Sequence, residues 1–455
     1  MSTIFSAKKI LVVGLGISGQ AAAHFLLAHY ANVYGFDDNR EMLVNTPLIQ
    51  ALQEKGLQLW QENDFHGIDA FDWIVLSPGI SFRHSLLQRA RQLQIPIMGE
   101  IELGCCVAKN PIFGITGTNG KTTVTLLITH ILQTCQKSAH ALGNVGIPFT
   151  QELLHLNTDE NIVLELSSYQ LETMTKICLD IGVILNITPD HLDRYSSLEE
   201  YAKTKCRIEY CLKSQANLYM GESSWYNYGH FLKIKKPLLY GYTNTCFIWT
   251  DLQNVYRNQK KVLALPTPLQ DKKSHELENF LIAYAVCAEK GVPAEDFLYA
   301  WETFKKPSHR IEFIRKFQGI RYYDDSKGTN IDAVIRAVQF VDGPIILIVG
   351  GVDKGSSYSP WIESFKGKVK LICAIGQAAN KIHAQVSPYF PTLVFESLEK
   401  ALHAAVRGSE EGDAILLSPG CASYDMFKDY KHRGMEFQRL VHQTYTSVSY
   451  TTCNG

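Results

Sequence analysis

The sequence predicts three α/β domains in series, and three observations carry that prediction. The chain is 455 residues long, a length that corresponds to about three ordinary domains. One grammar recurs in three blocks: a short apolar run, a glycine-rich or polar loop, then helix-like sequence. Such βα alternation builds parallel sheets with helices on both faces. Each block also places its glycines and polar residues just after an apolar run, and open α/β sheets bind ligands there, outside the carboxyl ends of the strands. We place the domains at 1–98, 99–306 and 307–455.

Composition narrows the class. The chain is 46% hydrophobic and 20% charged, the profile of a soluble globular protein. Its formal net charge of −1 gives no overall basic footprint, so neither nucleic acid nor a membrane is an expected partner. The 11 cysteines contain no CxxC pair and read as reduced, mostly buried thiols of a cytoplasmic protein. Cys105 and Cys106 are adjacent and cannot form an ordinary bridge with each other, and no zinc spacing occurs. "KKILVVGLG" puts lysines before an apolar run, as a signal peptide does, but the run soon breaks into glycines, so a buried strand is expected. A monomer is expected.

In the first block "VVGLGISG" sets Gly14, Gly16 and Gly19 between a strand and a helix, and Asp37 ends the next strand, "NVYGFDD". This is a Rossmann-like pattern. Close backbone approach plus a helix N-terminus suits any pyrophosphate, that of NAD or of a UDP-linked substrate. Tight strand–helix packing with no ligand would leave the same trace. "FDWIVLSPGI" and "QIPIMGEIEL" complete the block.

The second block opens with "NPIFGITGTNGKTTVTLLITHIL". Gly117, Thr118, Asn119, Gly120, Lys121, Thr122 and Thr123 form a phosphate cradle of P-loop ATPase-like type, with backbone amides and a helix N-terminus for phosphate oxygens. Lys121 is placed for the β/γ-phosphates and the Thr122 hydroxyl for Mg²⁺. The loop is a variant, because Ile115 occupies the usual first-glycine position and Gly114 lies one residue further back. "NIVLELSSYQLE" ends a strand on Glu165, a suitable Mg²⁺ carboxylate. "DIGVILNITPDHLDRY" places Asn186, Asp190, His191 and Asp193 just after another strand. His191 there suits a metal, a substrate, or a helix start without chemistry. Residues 231–266, rich in aromatic and β-branched side chains, read as a small antiparallel insert. The third block contains "GIRYYDDSKGTN", "PIILIVGGVDKG", "VKLICAIG" and "DAILLSPGCASYDMF", and reads as a second Rossmann-like α/β domain. A pyrophosphate loop and a separate ATP loop in one chain suggest an ATP-driven reaction on a nucleotide-linked substrate, with the third block bringing the remaining reactant.

"GTNGKTT", "ELSSYQLE", "NITPDHLDRY", "SHRIE", "DDSKGTN" and "SPGCASYDMF" resemble, in order and spacing, the motifs of the Mur ligases of bacterial cell-wall synthesis. The resemblance covers nearly the whole chain. "DDSKGTN", "GGVDKG" and "SPGCASYDMFKDYKHRGMEF" look like the family's D-glutamate-adding member, and the DNPR-type motif of the diaminopimelate- or lysine-adding member is absent. The resemblance implies that ATP phosphorylates the L-alanine carboxylate of UDP-N-acetylmuramoyl-L-alanine. The D-glutamate amine then attacks the acyl phosphate, and ADP and phosphate leave.

The same resemblance implies residue roles. Thr122 and Glu165 would hold one Mg²⁺, and His191 and Lys205 belong to a second site. Alone, Lys205 in "YAKTKCRIEY" reads as a surface helix lysine; the family implies that CO₂ carbamylates it. Lys121 and Arg310 of "SHRIE" would act on the phosphates, Arg310 by reaching the γ-phosphate across a cleft, which implies closure on binding. His309 beside it would be positional. Asn279 would contact adenine, Asp324 the ribose, and Lys327 would lie near the phosphates. Ile17, Ser18 and Asp37 resemble the uracil contacts, Ser77 and Gly79 lie near the diphosphate, and Asn144 and His191 contact substrate. Thr329, Lys354, Ser423 and Tyr424 resemble the D-glutamate pocket. Three positions depart from the family: Glu276 in "SHELEN" beside His275, Asn39 where an arginine is frequent, and Tyr424 in place of a leucine.

Two nearer and two farther alternatives remain at this level. The L-alanine-adding ligase or folylpolyglutamate synthetase would share the chemistry with another amino acid. An NAD-dependent oxidoreductase with an ATP-binding appendage would need a hydride-transfer site, and none is evident. A nucleotide-gated binding protein would leave Glu165, His191, Lys205 and Arg310 without a reason to converge.

Overall fold

The computed structural model describes residues 3–39, 43, 46–61, 67–81, 84–271 and 273–443. Among these residues there are three sheets, one for each block of the sequence. The first has five strands in the order Gln58–Leu59, Asn32–Phe36, Lys9–Val13, Trp73–Leu76, Ile97–Gly99, all parallel. Its central strand shows why the sequence is continuously apolar. Ile10 and Val12 pack with Phe25 and Leu26 on one face, while Leu11 and Val13 pack with Ile74 and Leu86 on the other. A strand buried on both faces needs no polar alternation.

The central sheet has nine strands: Lys260–Ala264, Asn254–Arg257, Ile248–Thr250, Leu238–Gly241, Leu212–Gly221, Leu179–Ile184, Ile112–Thr116, Asn161–Glu165 and Ala139–Gly143. The expected small antiparallel insert is corrected here. Leu238–Gly241 and Ile248–Thr250 continue the parallel sheet, and antiparallel pairing begins only with Asn254–Arg257 and Lys260–Ala264. Trp249 and Tyr256 stack across that first antiparallel pair at 4.2 Å, so the β-rich stretch widens the sheet instead of standing apart from it.

The helix Glu100–Cys105 follows the last strand of the first sheet and is tied to the central block by buried acids. Glu100 Oε1 accepts bonds from the Thr150 amide (2.6 Å) and hydroxyl (2.7 Å). Glu102 accepts from the Thr175 amide on Oε2 (2.9 Å) and from its hydroxyl on Oε1 (2.7 Å). The third sheet runs Glu312–Phe317, Ile320–Asp324, Ala414–Leu417, Ile345–Gly350, Val369–Ile375, Thr392–Phe395. It is parallel apart from its first, antiparallel strand. Leu347 and Val349 face Val334 and Trp361, and Ile346 and Ile348 face Leu402 and Phe437.

The chain forms two compact units. One comprises Met1–Ile187 with Ala202–Phe304; the other comprises Lys305–Gly455 together with Thr188–Tyr201. The described cysteines are free thiols. No helix among the described residues is long and apolar enough to cross a membrane.

Candidate active site

The phosphate cradle is built as a strand, a turn and a helix. Strand Ile112–Thr116 enters it and helix Lys121–Thr134 leaves it, with Gly120 at the N-cap in the left-handed region (φ +87°). A Cβ on Gly120 would lie 2.8 Å from Asn279 Oδ1, so glycine is required both by conformation and by the close approach of Asn279. Asn186, at the end of the neighbouring strand, clamps the loop. Its carbonyl accepts from Thr118 N (2.7 Å), its Oδ1 from Asn119 N (2.8 Å), and its Nδ2 donates to Asn119 O (3.0 Å). Lys121 Nζ curls onto the carbonyls of Gly117 (2.8 Å) and Thr118 (2.7 Å). Thr122 is buried and Thr123 half-buried at the first turn. The adenine departure is placed on the first turn of helix His275–Glu289, where His275 pairs with Glu278 at 2.9 Å.

Glu165 stands beside this loop, because its strand pairs with Ile115. Its Oε1 accepts from Asn144 Nδ2 at 2.7 Å. Its Oε2 is buried with no hydrogen-bond partner. A buried carboxylate oxygen left bare costs on the order of 1–3 kcal/mol or more, and a cation would satisfy it. With the Thr122 hydroxyl at the loop, the donors are hard oxygens, which fits Mg²⁺. Asn144, matched to substrate by resemblance, here holds this carboxylate.

Lys205 corrects the sequence-only expectation of a surface helix lysine. Its side chain is 1% exposed, among the largest fully buried ones, and Nζ donates to Gly117 O at 2.8 Å. A buried ammonium is costly unless it is compensated or modified, and here the Gly117 carbonyl of the loop compensates it.

In the first sheet, the glycine turn is shaped by packing as well as by open space. A Cβ on Gly19 would lie 1.8 Å from Gly14 O, whereas one on Gly16 or Gly79 would meet nothing. Ser77 Oγ donates to Gly14 O at 2.6 Å. Asp37 accepts from Leu15 N (2.7 Å) and Asn39 N (2.9 Å), which fixes the turn. Ile17 is exposed and Ser18 half-buried at the first turn of helix Ile17–Ala28, which has no side-chain cap.

The remaining candidates lie in the second compact unit. His191 adopts φ +55°, and its Nε2 is 3.7 Å from Asp190 Oδ2. Burial alone would raise the pKa of Asp190, but the Lys354 ammonium, His191 and the bonds from Lys354 and Asn330 hold it at about 2. Lys354 Nζ donates to Asp190 Oδ1 (3.1 Å) and Thr329 Oγ1 (3.3 Å). Ser423 is buried, whereas Tyr424 is 75% exposed and projects into solvent.

Arg310 sits between two residues in left-handed conformations, His309 (φ +63°) and Ile311 (φ +49°). That backbone is strained for non-glycine residues, above all for a β-branched one. Three contacts hold it: His309 Nδ1–Asp324 Oδ2 at 2.6 Å, Glu312 Oε2 accepting from His309 N at 2.8 Å, and Asp325 Oδ1 accepting from Ile311 N at 3.3 Å. Asp324, matched to the ribose by resemblance, is fully buried and engaged by His309, Gln438 and the Ser326 amide. Its neighbour Asp325 is pushed up to about 7 by burial, opposed by the bond from Ser418. His309, Glu312 and Asp324 bring three potential ligand atoms together, but Gln438 Nε2 lies among them, 2.9 Å from Asp324 Oδ2 and 3.4 Å from Glu312 Oε2. The amide thus satisfies the acids. Lys327 Nζ lies 3.9 Å over the Tyr430 ring.

Two organisers were given no role by sequence reasoning. One is Asn186, visible only as a residue after a strand. The other is Arg433, buried, which donates to Ser326 O (2.9 Å) and Cys421 O (3.2 Å) and so joins two loops of the third sheet. It lies within the quoted stretch "SPGCASYDMFKDYKHRGMEF", but nothing in its helix pattern distinguishes a buried arginine from a solvated one.

Comparison with known proteins agrees along the chain. The Mur ligase MurD-like N-terminal domain matches residues 8–99, the Mur ligase middle domain 115–287, and the Mur ligase glutamate ligase domain 309–421. A UDP-N-acetylmuramoylalanine–D-glutamate ligase of Protochlamydia amoebophila is 50% identical, covering 96% of this chain and 98% of the relative. The ligase of the same name from Caldanaerobacter subterraneus is 36% identical over 95% of this chain and 98% of the relative. The crystal structure of UDP-N-acetylmuramate-alanine ligase from Thermotoga maritima shares the fold, with a TM-score of 0.60 at 19% identity, over 96% of this chain and 100% of that one. With its three sheets, its phosphate loop and these relatives, the chain belongs to the Mur ligase family.

Proposed function

We propose that this chain is an ATP-dependent ligase that joins D-glutamate to UDP-N-acetylmuramoyl-L-alanine in the cytoplasmic stage of peptidoglycan synthesis. The observation that carries the reading is the gathering of Lys205 and of Glu165, with its bare buried oxygen, around the phosphate loop. Three domains, 1–98, 99–306 and 307–455, would take the UDP-substrate, ATP and D-glutamate in turn.

The loop amides of Gly117–Thr123 and Lys121 hold the triphosphate. Thr122 and Glu165 would hold one Mg²⁺, and His191 and Lys205 would serve a second, with CO₂ bound to Lys205 Nζ as a carbamate so that a buried cation becomes an anionic ligand. Bound Mg²⁺ supplies the positive charge that lets a carboxylate and a triphosphate approach each other. Arg310 steadies the transferred phosphoryl group through its planar donors. Thr329, Lys354 and Ser423 orient D-glutamate so that its amine meets the acyl phosphate. Asn279 remains near the nucleotide. The Gly14–Gly19 turn, Asp37, Ser77 and Gly79 receive the UDP moiety.

Phosphate release from ATP and Mg²⁺ with UDP-N-acetylmuramoyl-L-alanine tests this reading, run with D-glutamate, with L-glutamate and with neither. Release that depends on D-glutamate, with a product heavier by one glutamyl residue, is the expected result. Release with another amino acid instead would change the member while keeping the family.

A further inference from the structure

Asp190 has no role in the proposed reaction, yet it is buried and accepts bonds from three different residues of its unit. Its side chain is 8% exposed. Oδ1 accepts from the His191 amide at 2.9 Å and from Lys354 Nζ at 3.1 Å. Oδ2 accepts from Asn330 Nδ2 at 3.2 Å. Asn330 in turn caps helix Ile331–Phe340, its Oδ1 accepting from Ala333 N at 2.8 Å. On the other side, Gly355 (φ +79°) lies so close to the segment that a Cβ there would sit 3.2 Å from Asp193 N. One carboxylate therefore joins the histidine's own amide, the lysine of the amino-acid pocket and the N-cap of a helix in the third sheet's unit.

We propose that Asp190 is a positioning residue that holds Lys354 and His191 in one arrangement, so that the D-glutamate pocket is formed before the amino acid arrives. The proposal rests on the functional reading above. A lysine side chain carries large rotamer freedom, and a pocket built on it binds weakly unless the chain is fixed beforehand. Here two of the three ammonium donors are directed, one to Asp190 Oδ1 and one to Thr329 Oγ1. The third remains for a ligand carboxylate. The ion pair with Asp190 is neutral as a whole, so its contribution is direction rather than net charge. The same carboxylate also accepts the His191 amide, which helps to hold that residue in its left-handed conformation.

The test compares KM for each substrate in wild type, Asp190→Asn and Asp190→Glu. Asp190→Asn removes the charge and puts an amide donor against Asn330; Asp190→Glu keeps the charge and displaces it. Both are expected to raise the KM for D-glutamate, by about tenfold or more in Asp190→Asn, with the KM for ATP and for the UDP-substrate changed by less than about twofold. In a Lys354→Met background, Asp190→Asn should add less than about threefold, because the side chain that it positions is gone. A merely structural role would move all three KM values together, or lower kcat alone through a smaller folded fraction; either result overturns the proposal. So does an unchanged KM for D-glutamate in both variants. Wild type that releases no phosphate with D-glutamate overturns the functional reading and this proposal with it, whereas normal wild-type turnover beside unaltered variants overturns this proposal alone.

Discussion

Lys205 lies in a helix whose spacing looks like any solvated lysine face, yet its amine is buried against Gly117 O. Lys205→Ala is therefore expected to lose ligation almost completely, with partial return of activity on adding small carboxylic acids that fill the vacated space. A phosphate-release assay checks this, and the absence of any rescue would weigh against the carbamate. Asn186 is a second case. Asn186→Ala removes one side-chain donor and one acceptor from the loop at Asn119, about 1 kcal/mol for each bond; the KM for ATP should rise several-fold while that for D-glutamate stays within about twofold. His309 gives a pH signature. Its bond to Asp324 raises its pKa above 6.5, against the opposing effect of burial. For a group raised on folding, the added stability is complete below 6.5 and is lost as pH rises through the folded value. Thermal melts between pH 6 and 9 should show this loss in wild type, and the slope should flatten in Asp324→Asn.

At the scale of elements, the strand–turn–helix joint at the phosphate loop depends on a left-handed residue at the N-cap of Lys121–Thr134. Gly120→Ala meets both the unfavourable φ and the Asn279 side chain 2.8 Å away. A cost of about 1–3 kcal/mol is expected, seen as a lower melting temperature together with weaker ATP binding. An unchanged melting temperature would mean that the loop relaxes freely. The stretch 231–266 marks the limit of local reading. Its β-branched and aromatic residues announce strands, but whether Leu238–Gly241 pairs parallel with Leu212–Gly221 across a helical crossover or folds back on a neighbour as a hairpin is a matter of pairing, which composition does not encode.

For the whole molecule, the first sheet and the central sheet each carry their own glycine turn, Gly14–Gly19 and Gly117–Lys121, on separate strands, and the proposed function assigns the UDP moiety to one and the triphosphate to the other. Lys121→Ala should therefore abolish ATP-dependent ligation and leave calorimetric affinity for the UDP-substrate within about twofold. Loss of UDP-substrate binding in a folded variant would refute that division.

The three-block α/β grammar, the phosphate loop with Lys121 and Thr122, and Glu165 at a strand end were all legible in the chain, because each is a local pattern: an apolar run long enough to be buried on both faces, then glycines where the backbone must turn. Tertiary structure decided the rest. It buried Lys205, left Glu165 Oε2 bare, turned Asp324 inward onto His309, and gathered Thr188–Tyr201 with the third sheet's unit through Asp190. Those outcomes depend on which distant carbonyl, carboxylate or ammonium comes within hydrogen-bond reach once the sheets have formed, and burial makes a polar atom left without such a partner costly.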